Sequence, residues 1–340
     1  MEKCTIQILS GGRVQEPAVV EGITWETARM GEPGKLTFTC IKDRDTYGLN
    51  DLLSFSSTPT NKFVEAKDGG LSFGEGAQVI FRYGDKNVFS GFVFEKRRNK
   101  EHHIEVICYD RLRYFKNKEN YVFTNVRLDQ IVTRIAQDMG FRTGEISNTK
   151  YVIPKFAAED STLFDVIDSA IAQTVMATRE LYCLYDDYGN ICLKHLGEML
   201  LPIAIDQDTF EDFDYVTSIE SNTYNQVVVK PSEGEPIIVN NQRTQEQWGV
   251  LQTVVDYQGT NPQAHAQMIL DDHNRVSKSL TINGQLGDIR VRGGSGVYLS
   301  LNAGDTIYNQ IMYVEKVTHN FNHGHHSMDL TLVDGRGFYG

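Results

Sequence analysis

Two phrases of equal length stand near opposite ends of the chain, and they constrain the fold more than any other feature. GDKNVFSGFVFEK spans residues 84–96 and GDTIYNQIMYVEK spans residues 304–316. The identical positions are Gly84/Gly304, Asp85/Asp305, Glu95/Glu315 and Lys96/Lys316. Each phrase leads into a polar, histidine-containing tip (RRNKEHH or THNFNHGHH) and then into a return strand that ends in Asp110 or Asp334. The whole pattern is that of one hairpin-containing unit written twice.

Any two β-hairpins share turn glycines and alternating apolar residues, so the identities alone are compatible with coincidence. The extended agreement over turn, strand, tip, return strand and final aspartate favours an internal duplication, which indicates an architecture rather than a local structure. We therefore predict a related, tube-type β-barrel at each end of the chain. Closed assemblies arise when identical surfaces are rotated about an axis. Three copies of such a chain would present six similar units; the duplication permits this ring without requiring it.

The first part of the chain is typical of β structure. KLTFTCI alternates apolar and polar residues with the period of two that marks a half-buried strand. AQVIFRY and VFSGFVFEK flank a Gly-Asp-Lys-Asn turn and predict a hairpin, and IEVICYD predicts its return strand. The long polar, Gly-rich segment at residues 50–76 predicts a loop, and loops of this length in compact domains are usually functional or partly disordered.

The middle of the chain changes character. Leu128, Ile131, Ile135 and Met139 fall at helical spacing, and Gly140 stands where that helix would end. A second helix is predicted after Thr162, where Thr162 and Asp165 form a capping-box pattern. LYCLYDDYGNICLKHL then predicts a hairpin that turns at residues 187–190. These elements make a small α+β module at about residues 113–204.

After about residue 205 the chain returns to short strands, including NQVVVK, DIRVR, GVYLSL and MDLTLV. One helix interrupts them, with Asn261 as its cap and Pro262 at its first position. The predicted fold is therefore mainly β with an α+β insert. It consists of a first β-barrel at 1–112, the insert at 113–204, and a second β-barrel with one helix at 205–340.

Composition excludes several classes of protein. The chain has 33 basic and 45 acidic side chains, a net charge of −12, which argues against a protein that grips nucleic acid through phosphate contacts. The N-terminus predicts no signal peptide, and no stretch approaches the ~20 apolar residues that a membrane-spanning helix needs. The five scattered cysteines (Cys4, Cys40, Cys108, Cys183, Cys192) contain no C-x-x-C pair and are expected to be free, buried thiols made in a reducing cytoplasm.

Three stretches together resemble the baseplate hub proteins of contractile phage tails: CYDRLRYFKNKENYVF, LYDDYGNICLKHL and GDIRVRGGSGVYLSL…MYVEKVTHNF. The resemblance is strongest to the hub of PBSX-type prophages and of related bacteriocin particles from Gram-positive bacteria. It runs from about Asp85 to Val333 in the same order. The same fold is found at the N-terminal end of type VI secretion spike proteins.

The resemblance implies a homotrimer whose two tube-type barrels per chain form a pseudo-six-fold ring, with the insert outside it. Such a ring joins the hexameric tail tube to the trimeric spike and contacts baseplate wedge or other baseplate proteins. It places the protein, made in the bacterial cytoplasm, in the baseplate of a phage tail or bacteriocin particle. Because the sequence stops at Gly340 without a spike, a separate spike protein is expected.

Histidines form the most conspicuous chemical cluster, at His319, His323, His325 and His326. Neighbouring imidazoles can bind zinc or nickel. Alternation on a strand sends neighbours to opposite faces, however, and Asn320, Asn322 and Gly324 mark a flexible tip. A solvated or partner-facing hairpin tip is therefore the favoured interpretation, and a metal site is the alternative.

Other motifs predict structure rather than chemistry. Asp186-Asp187 could act as paired carboxylates but is better explained as a turn former, and Asp271-Asp272-His273 as a solvated helix face. GGSG at residues 293–296 precedes a strand rather than a helix, so it is neither a phosphate loop nor, at Ser295, a nucleophile elbow. The basic run at residues 96–100 could contact nucleic acid, but a solvated or protein-contacting tip is favoured.

We therefore predict a non-enzymatic structural protein, with no catalytic, cofactor-binding or metal-binding residues, no specific nucleic-acid binding and no membrane insertion. Two alternatives remain at this point. A tail-associated cell-wall hydrolase would need a carboxylate pair or a Cys/His set in a defined frame. A glycan- or receptor-binding tail-tip protein would need exposed aromatic platforms, and the chain has only Trp25 and Trp248.

Overall fold

The computed structural model describes residues 2–20, 22–41, 71–100, 103–220, 222–232, 234–257, 261–304, 306–322 and 324–334. Most of the predicted loop at 50–76 lies outside these ranges, as do Asp305 of the second repeat and His323 of the histidine cluster. Within the described ranges, no helix combines the length and the apolarity needed to cross a bilayer.

Seven strands form the first β unit. They are β1 (Cys4–Ser10), β2 (Arg13–Gln15), β3 (Ile23–Ala28), β4 (Lys35–Ile41), β5 (Gln78–Tyr83), β6 (Lys86–Arg98) and β7 (His103–Tyr109). The alternation seen in KLTFTCI buries Leu36, Phe38 and Cys40 on one face of β4, as predicted. The predicted β5–β6 hairpin is also confirmed, with its turn at Gly84-Asp85.

The insert contains two helices, five strands and its own hydrophobic core. Its elements are a 3-10 turn (Arg111–Lys116), β8 (Lys118–Val126), α1 (Leu128–Asp138), β9 (Arg142–Ile146), β10 (Ile153–Thr162), α2 (Leu163–Thr178), β11 (Tyr182–Asp187), β12 (Asn190–His195) and a second 3-10 turn (Leu196–Met199). Both predicted helices and the predicted hairpin are confirmed. The capping box forms as expected, because the Thr162 hydroxyl accepts from the Asp165 amide and the Asp165 carboxylate accepts from the Thr162 amide.

The last part of the chain holds two clusters. The second β unit is made of β13 (Leu200–Asp206), β14 (Asp212–Ser218), β18 (Ser277–Leu286), β19 (Gly296–Asn302), β20 (Ile307–Asn322) and β21 (His325–Asp334). A smaller sheet with a separate core contains β15 (Gln226–Pro231), β16 (Ile237–Asn240), α3 (Gln242–Trp248), β17 (Gln252–Tyr257) and α4 (Pro262–His273). Asn261 caps α4 as predicted, whereas α3 was not predicted.

The order of strands repeats between the two β units. Hydrogen-bonded neighbours run β3-β4-β7-β6-β5-β1 in the first unit and β14-β18-β21-β20-β19-β13 in the second. The first five strands of each series also follow the same chain order, so each strand has a counterpart in the other unit. This repeat of topology supports the predicted duplication and confirms a mainly β fold with two related β units.

Strand pairing corrects the repeat alignment by one residue. Val93 pairs with Cys108 and Val314 with Leu332, and each ladder has a bulge immediately afterwards. Val93 is therefore the counterpart of Val314, and Glu95 that of Lys316 rather than of Glu315. The reason is the turn: one residue separates Gly84 from Lys86, the first paired residue of β6, whereas two residues separate Gly304 from Ile307, the first paired residue of β20. The predicted match of Asp110 with Asp334 survives, because Tyr109 and Val333 are counterparts.

Counterpart positions fill the two cores. The buried pairs are Leu36/Leu280, Phe38/Ile282, Val79/Val297, Phe81/Leu299, Val93/Val314 and Val106/Leu330. Each unit thus wraps around its own apolar cluster. Their sheets are nevertheless continuous, because β20 pairs with β3 and joins all thirteen strands into one sheet.

Candidate functional site

The seam between the two β units lies where the distal half of β20 pairs with β3. Residues 316–321 run antiparallel to residues 23–28, so that His319 stands opposite Trp25. The two rings stack with their centroids 4.8 Å apart and their planes 21° apart. Both side chains are buried, His319 completely. The seam is therefore a packed interior and not a loose contact between domains.

Hydrogen bonds fix the protonation of His319. Its Nε2 lies 2.9 Å from the carbonyl oxygen of Val291, which can only accept, so Nε2 carries the proton. Its Nδ1 then accepts from Nε2 of His326, 2.9 Å away. Burial lowers the pKa of His319 to about 3 and that of His326 to about 4. Both imidazoles are consequently neutral at neutral pH.

This arrangement corrects the prediction of a solvated histidine tip. The prediction that His319 lies in the tip is wrong, because β20 continues to Asn322 and His319 lies in the core. His326 is half-buried and stacks on Phe321, with ring centroids 4.3 Å apart, whereas His325 is exposed as predicted. In the described part of the chain, no three His, Cys, Asp or Glu residues gather in a way that could hold a metal ion.

Ion pairs flank the seam on its outer side. Glu315, the bulge residue of β20, accepts from Nε of Arg29 at 2.6 Å, and the Glu315 carbonyl accepts from the Arg29 amide. Glu26 contacts the ammonium groups of Lys35 and Lys316 at 2.9 and 3.3 Å. The second copy of the Glu-Lys dipeptide therefore joins the two units as well as shaping its own hairpin.

A carboxylate pair lies where the insert meets both β units. Asp110 accepts from the amides of Gly34 (2.8 Å) and Leu112 (3.0 Å). Asp186 accepts from the amides of Arg111 and Gly189. Burial raises the pKa of Asp186 to about 6 and holds the pKa of Asp110 well above its usual value. Asp186 and Asp187 end β11 beside the predicted turn, and Asp186 accepts from the amide of Gly189 in that turn. Asp186 is also buried, which was not predicted.

Arg292 connects this carboxylate pair to the seam. Its guanidinium lies 4.4 Å from the centre of the Tyr185 ring and 6.0 Å from that of Trp25, and Nη1 lies 3.4 Å from the Asp186 carbonyl oxygen. One cation thus contacts the insert and the first unit while belonging to the second. The contacts of Arg292 with the first unit and the insert were not predicted, because Trp25, Tyr185 and Arg292 are each more than a hundred residues apart in the sequence.

The GGSG segment closes the same junction. Its turn leads into β19, as predicted, but DIRVR before it forms a turn and extended chain instead of the predicted strand, because Asp288 accepts from the amide and side chain of Arg290. The Gly293 amide donates to Thr27 Oγ1 at 3.0 Å, and a Cβ atom at Gly293 would overlap the Ala28 backbone. Ser295 is buried and bonds to Arg292 and Val314, so its contacts are structural.

Remaining predicted positions are on the surface or in ordinary contacts. Lys96 is half-buried, with Nζ 2.8 Å from the Phe73 carbonyl oxygen, whereas the rest of the basic run at 97–100 is exposed as predicted. Asp271 is exposed, but Asp272 and His273 are half-buried, and His273 bonds to the Asn222 carbonyl. Trp25 is buried and Trp248 half-buried, so neither is an open aromatic platform.

All five cysteines are free thiols; four are buried and Cys4 is half-buried. This agrees with the prediction from their spacing. Burial raises the pKa of Cys40 to about 11 and that of Cys183 to about 12. The thiols therefore remain protonated and serve as small apolar groups.

The family described as YqbQ-like matches residues 23–333. The chain belongs to this family. A relative, the phage-like element PBSX protein XkdQ of Bacillus subtilis, is 31% identical over 274 residues, covering 77% of this chain and 83% of that protein. This relative is a protein of a phage-like element, which agrees with the resemblance seen in the sequence.

Solved structures share the fold of this YqbQ-like protein. The 43 kDa tail protein of prophage MuSo2 from Shewanella oneidensis has a TM-score of 0.68 at 12% identity, with 98% of each chain covered. The E. coli c3393 protein, a type VI secretion component similar to T4 tail proteins gp27 and gp5, has a TM-score of 0.56 at 10% identity, covering 97% of this chain and 76% of that one. The family match begins at the first residue of β3, so it includes both sides of the seam.

Proposed function

We propose that this protein is the central hub of a contractile-tail baseplate, a non-enzymatic homotrimer that adapts the hexameric tail tube to the trimeric spike. The observation that carries the proposal is the repeat of strand order between the two β units. Three chains with two equivalent units each supply six similar faces around one axis, as closed rotational assembly requires.

The two sides of such a ring have different symmetry. Toward the tube, the six β units match six tube subunits one to one. Toward the spike, the insert and the loops that occur only once per chain are present in three copies, so they give this side three-fold symmetry. These parts, which are not duplicated within the chain, are therefore the candidates for contacts with spike, wedge and other baseplate proteins. The net charge of −12 suits a bore that passes a polyanion without holding it.

The test is to image purified tail particles by electron cryomicroscopy with this chain carrying an internal affinity tag for labelling. We expect three copies on the particle axis between tube and spike, with each copy contributing two units to one ring. A copy number other than three, or a position away from the axis, would overturn the proposal. A monomer in isolation is compatible with assembly on the partners, so the particle itself is the sample.

The non-enzymatic part of the proposal has its own measurement. Purified chain is incubated with bacterial cell-wall fragments, and release of soluble fragments is followed against a known hydrolase. We expect release no greater than that of buffer. Repeated turnover by the chain would favour the wall-hydrolase alternative, whatever the particle images show.

A further inference from the structure

The edge of β20 that pairs with β3 in the internal seam has a counterpart on β6, and no described strand pairs with that counterpart. In the second unit, β19 pairs with β20 only as far as Tyr313, and β3 occupies the edge beyond it. In the first unit, β5 pairs with β6 only as far as Phe92, and residues 76–77 bond to Val93. Beyond that point, residues 95–98 of β6 pair with β7 on one side, and no described strand pairs with their other edge.

The matching edge is on β14. Its counterpart β3 pairs with β4 on one side and with β20 on the other. β14 pairs with β18 along its whole length, and among the described residues no strand lies on its other side. Within its described residues, the chain therefore leaves unpaired the same two kinds of edge that it joins internally.

We propose that these two edges pair between neighbouring copies: residues 95–98 of β6 in one copy run antiparallel to residues 215–218 of β14 in the next. This inference rests on the proposed homotrimer and specifies its interface. The partner is a second copy of this chain, and the contact is head-to-tail, which closes a ring when the rotation is right. Internal and inter-chain seams then alternate around six units.

The internal register fixes the inter-chain register. β20 residues 316–319 pair with residues 28–25 of β3. The counterparts, deduced from the ladders of each unit, are residues 95–98 of β6 and residues 218–215 of β14. Arg97 then stands opposite Val216 of the next copy and Arg98 opposite its Tyr215. Arg98 replaces His319 and Tyr215 replaces Trp25, so a cation over an aromatic ring takes the place of the internal stack.

Charge favours this pairing over pairing of like edges. Around the β6 edge, the exposed cations Arg97, Arg98 and Lys100 outnumber one exposed carboxylate, Glu95, which accepts from Nε of Arg97 at 2.7 Å, and β14 carries the exposed carboxylates Asp212 and Asp214. Two β6 edges or two β14 edges would repel each other, whereas one of each attracts. Charged side chains on open edges also prevent indiscriminate strand addition.

Paired cysteines test the register in assembled particles. Directly opposite residues bring their Cβ atoms to about 4.5–5.5 Å, close enough for a disulfide after small adjustment. In a Cys4→Ser background, Arg97→Cys/Val216→Cys should give a covalent species of three chains on a non-reducing gel. Glu95→Cys/Ser218→Cys is the second pair, in case the first perturbs assembly. Arg97→Cys/Thr217→Cys, which points the two side chains to opposite faces, is the matched control.

The outcomes separate this inference from the proposed function. Three-chain species from the first two pairs and not from the control establish the seam. Particles with three axial copies but no such species overturn the seam and leave the hub standing; so does a cross-link to another protein. Particles without three axial copies overturn both.

Charge exchange gives an independent measurement on the same contact. Arg97 and Asp214 lie diagonally on one face of the proposed ladder. Arg97→Asp and Asp214→Arg should each lower the yield of assembled particles by about 5- to 10-fold, and the two together should restore most of it. Arg13→Asp on the exposed strand β2 should leave the yield unchanged. Failure of the double variant to recover would count against the seam.

Discussion

The two β units share a skeleton and differ at their edges. Six strands follow the same order in both, and core pairs such as Leu36/Leu280 on β4 and Val93/Val314 on β6 are buried in both units. The sixth strand, however, is antiparallel to its neighbour in the first unit (β1) and parallel in the second (β13). The duplicated core has been kept while the surroundings diverged.

The seam residues show what that divergence accomplishes. Trp25 on β3 is buried against His319, whereas its counterpart Tyr215 on β14 is only partly buried. His319 is neutral and buried, whereas its counterpart Arg98 is charged and exposed. An edge that is covered within the chain carries aromatic and neutral groups, and an uncovered one carries charges that keep it soluble.

The largest expected effect comes from breaking the covered edge. Trp25→Ala removes a buried ring between the two units and should lower the free energy of unfolding by about 3–5 kcal/mol. Tyr215→Ala removes the counterpart ring from an open edge and should cost only about 1–2 kcal/mol in the isolated chain. Urea denaturation followed by far-ultraviolet circular dichroism measures both. Equal losses would mean that the internal seam is no better packed than the open edge.

A smaller loss is expected from Gly293→Ala, which tests the junction behind the seam. The added Cβ would overlap the Ala28 backbone, so the GGSG turn must move away from β3. Overpacking of this kind typically costs about 1–3 kcal/mol. The matched control is Gly74→Ala, where a Cβ meets nothing within 4 Å.

Both glycine variants are compared by their urea midpoints at constant slope. Gly74→Ala should leave the midpoint almost unchanged. A midpoint for Gly293→Ala that equals the wild-type value would show that the turn relaxes freely and does not hold the units together.

Local patterns predicted much of this fold because they arise from neighbours in sequence. The period-two alternation of β4, the capping box at Thr162 and the Pro262 helix start are all local, and all were predicted. The repeat was detected as well, but with an error of one residue, since the second copy has one more residue between its turn glycine and its first paired residue, which sequence identity does not reveal.

The seam could not be predicted, because it depends on contacts between distant residues. His319 seemed to belong to a polar tip, since the Asn and Gly residues around it are typical of turns. Only the pairing of β20 with β3 places Trp25 over its ring. Asp186 likewise lies in a turn sequence, and its burial depends on Asp110 and Arg292 from other parts of the chain.

A further effect is expected on pH dependence, and it separates His319 from its counterpart Arg98, whose guanidinium is charged. The folded-state pKa of His319, about 3, lies below its ordinary value. The unfolded chain therefore binds a proton that the folded chain rejects, and the free energy of unfolding falls as pH drops below 6.5. His319 should contribute a loss on the order of 2 kcal/mol between pH 7 and about pH 5.

Asp186 acts with the opposite sign, because its raised pKa stabilises the fold on acidification, so the comparison must be made between variants. His319→Asn should be less stable at pH 7 but should have a flatter pH dependence than wild type, since Asp186 and Asp110 are unchanged in both. His325→Gln, at an exposed neighbour, should keep the wild-type dependence. If His319→Asn also keeps the wild-type pH dependence of the free energy of unfolding, then the lowered pKa of His319 does not cause the acid sensitivity of the fold.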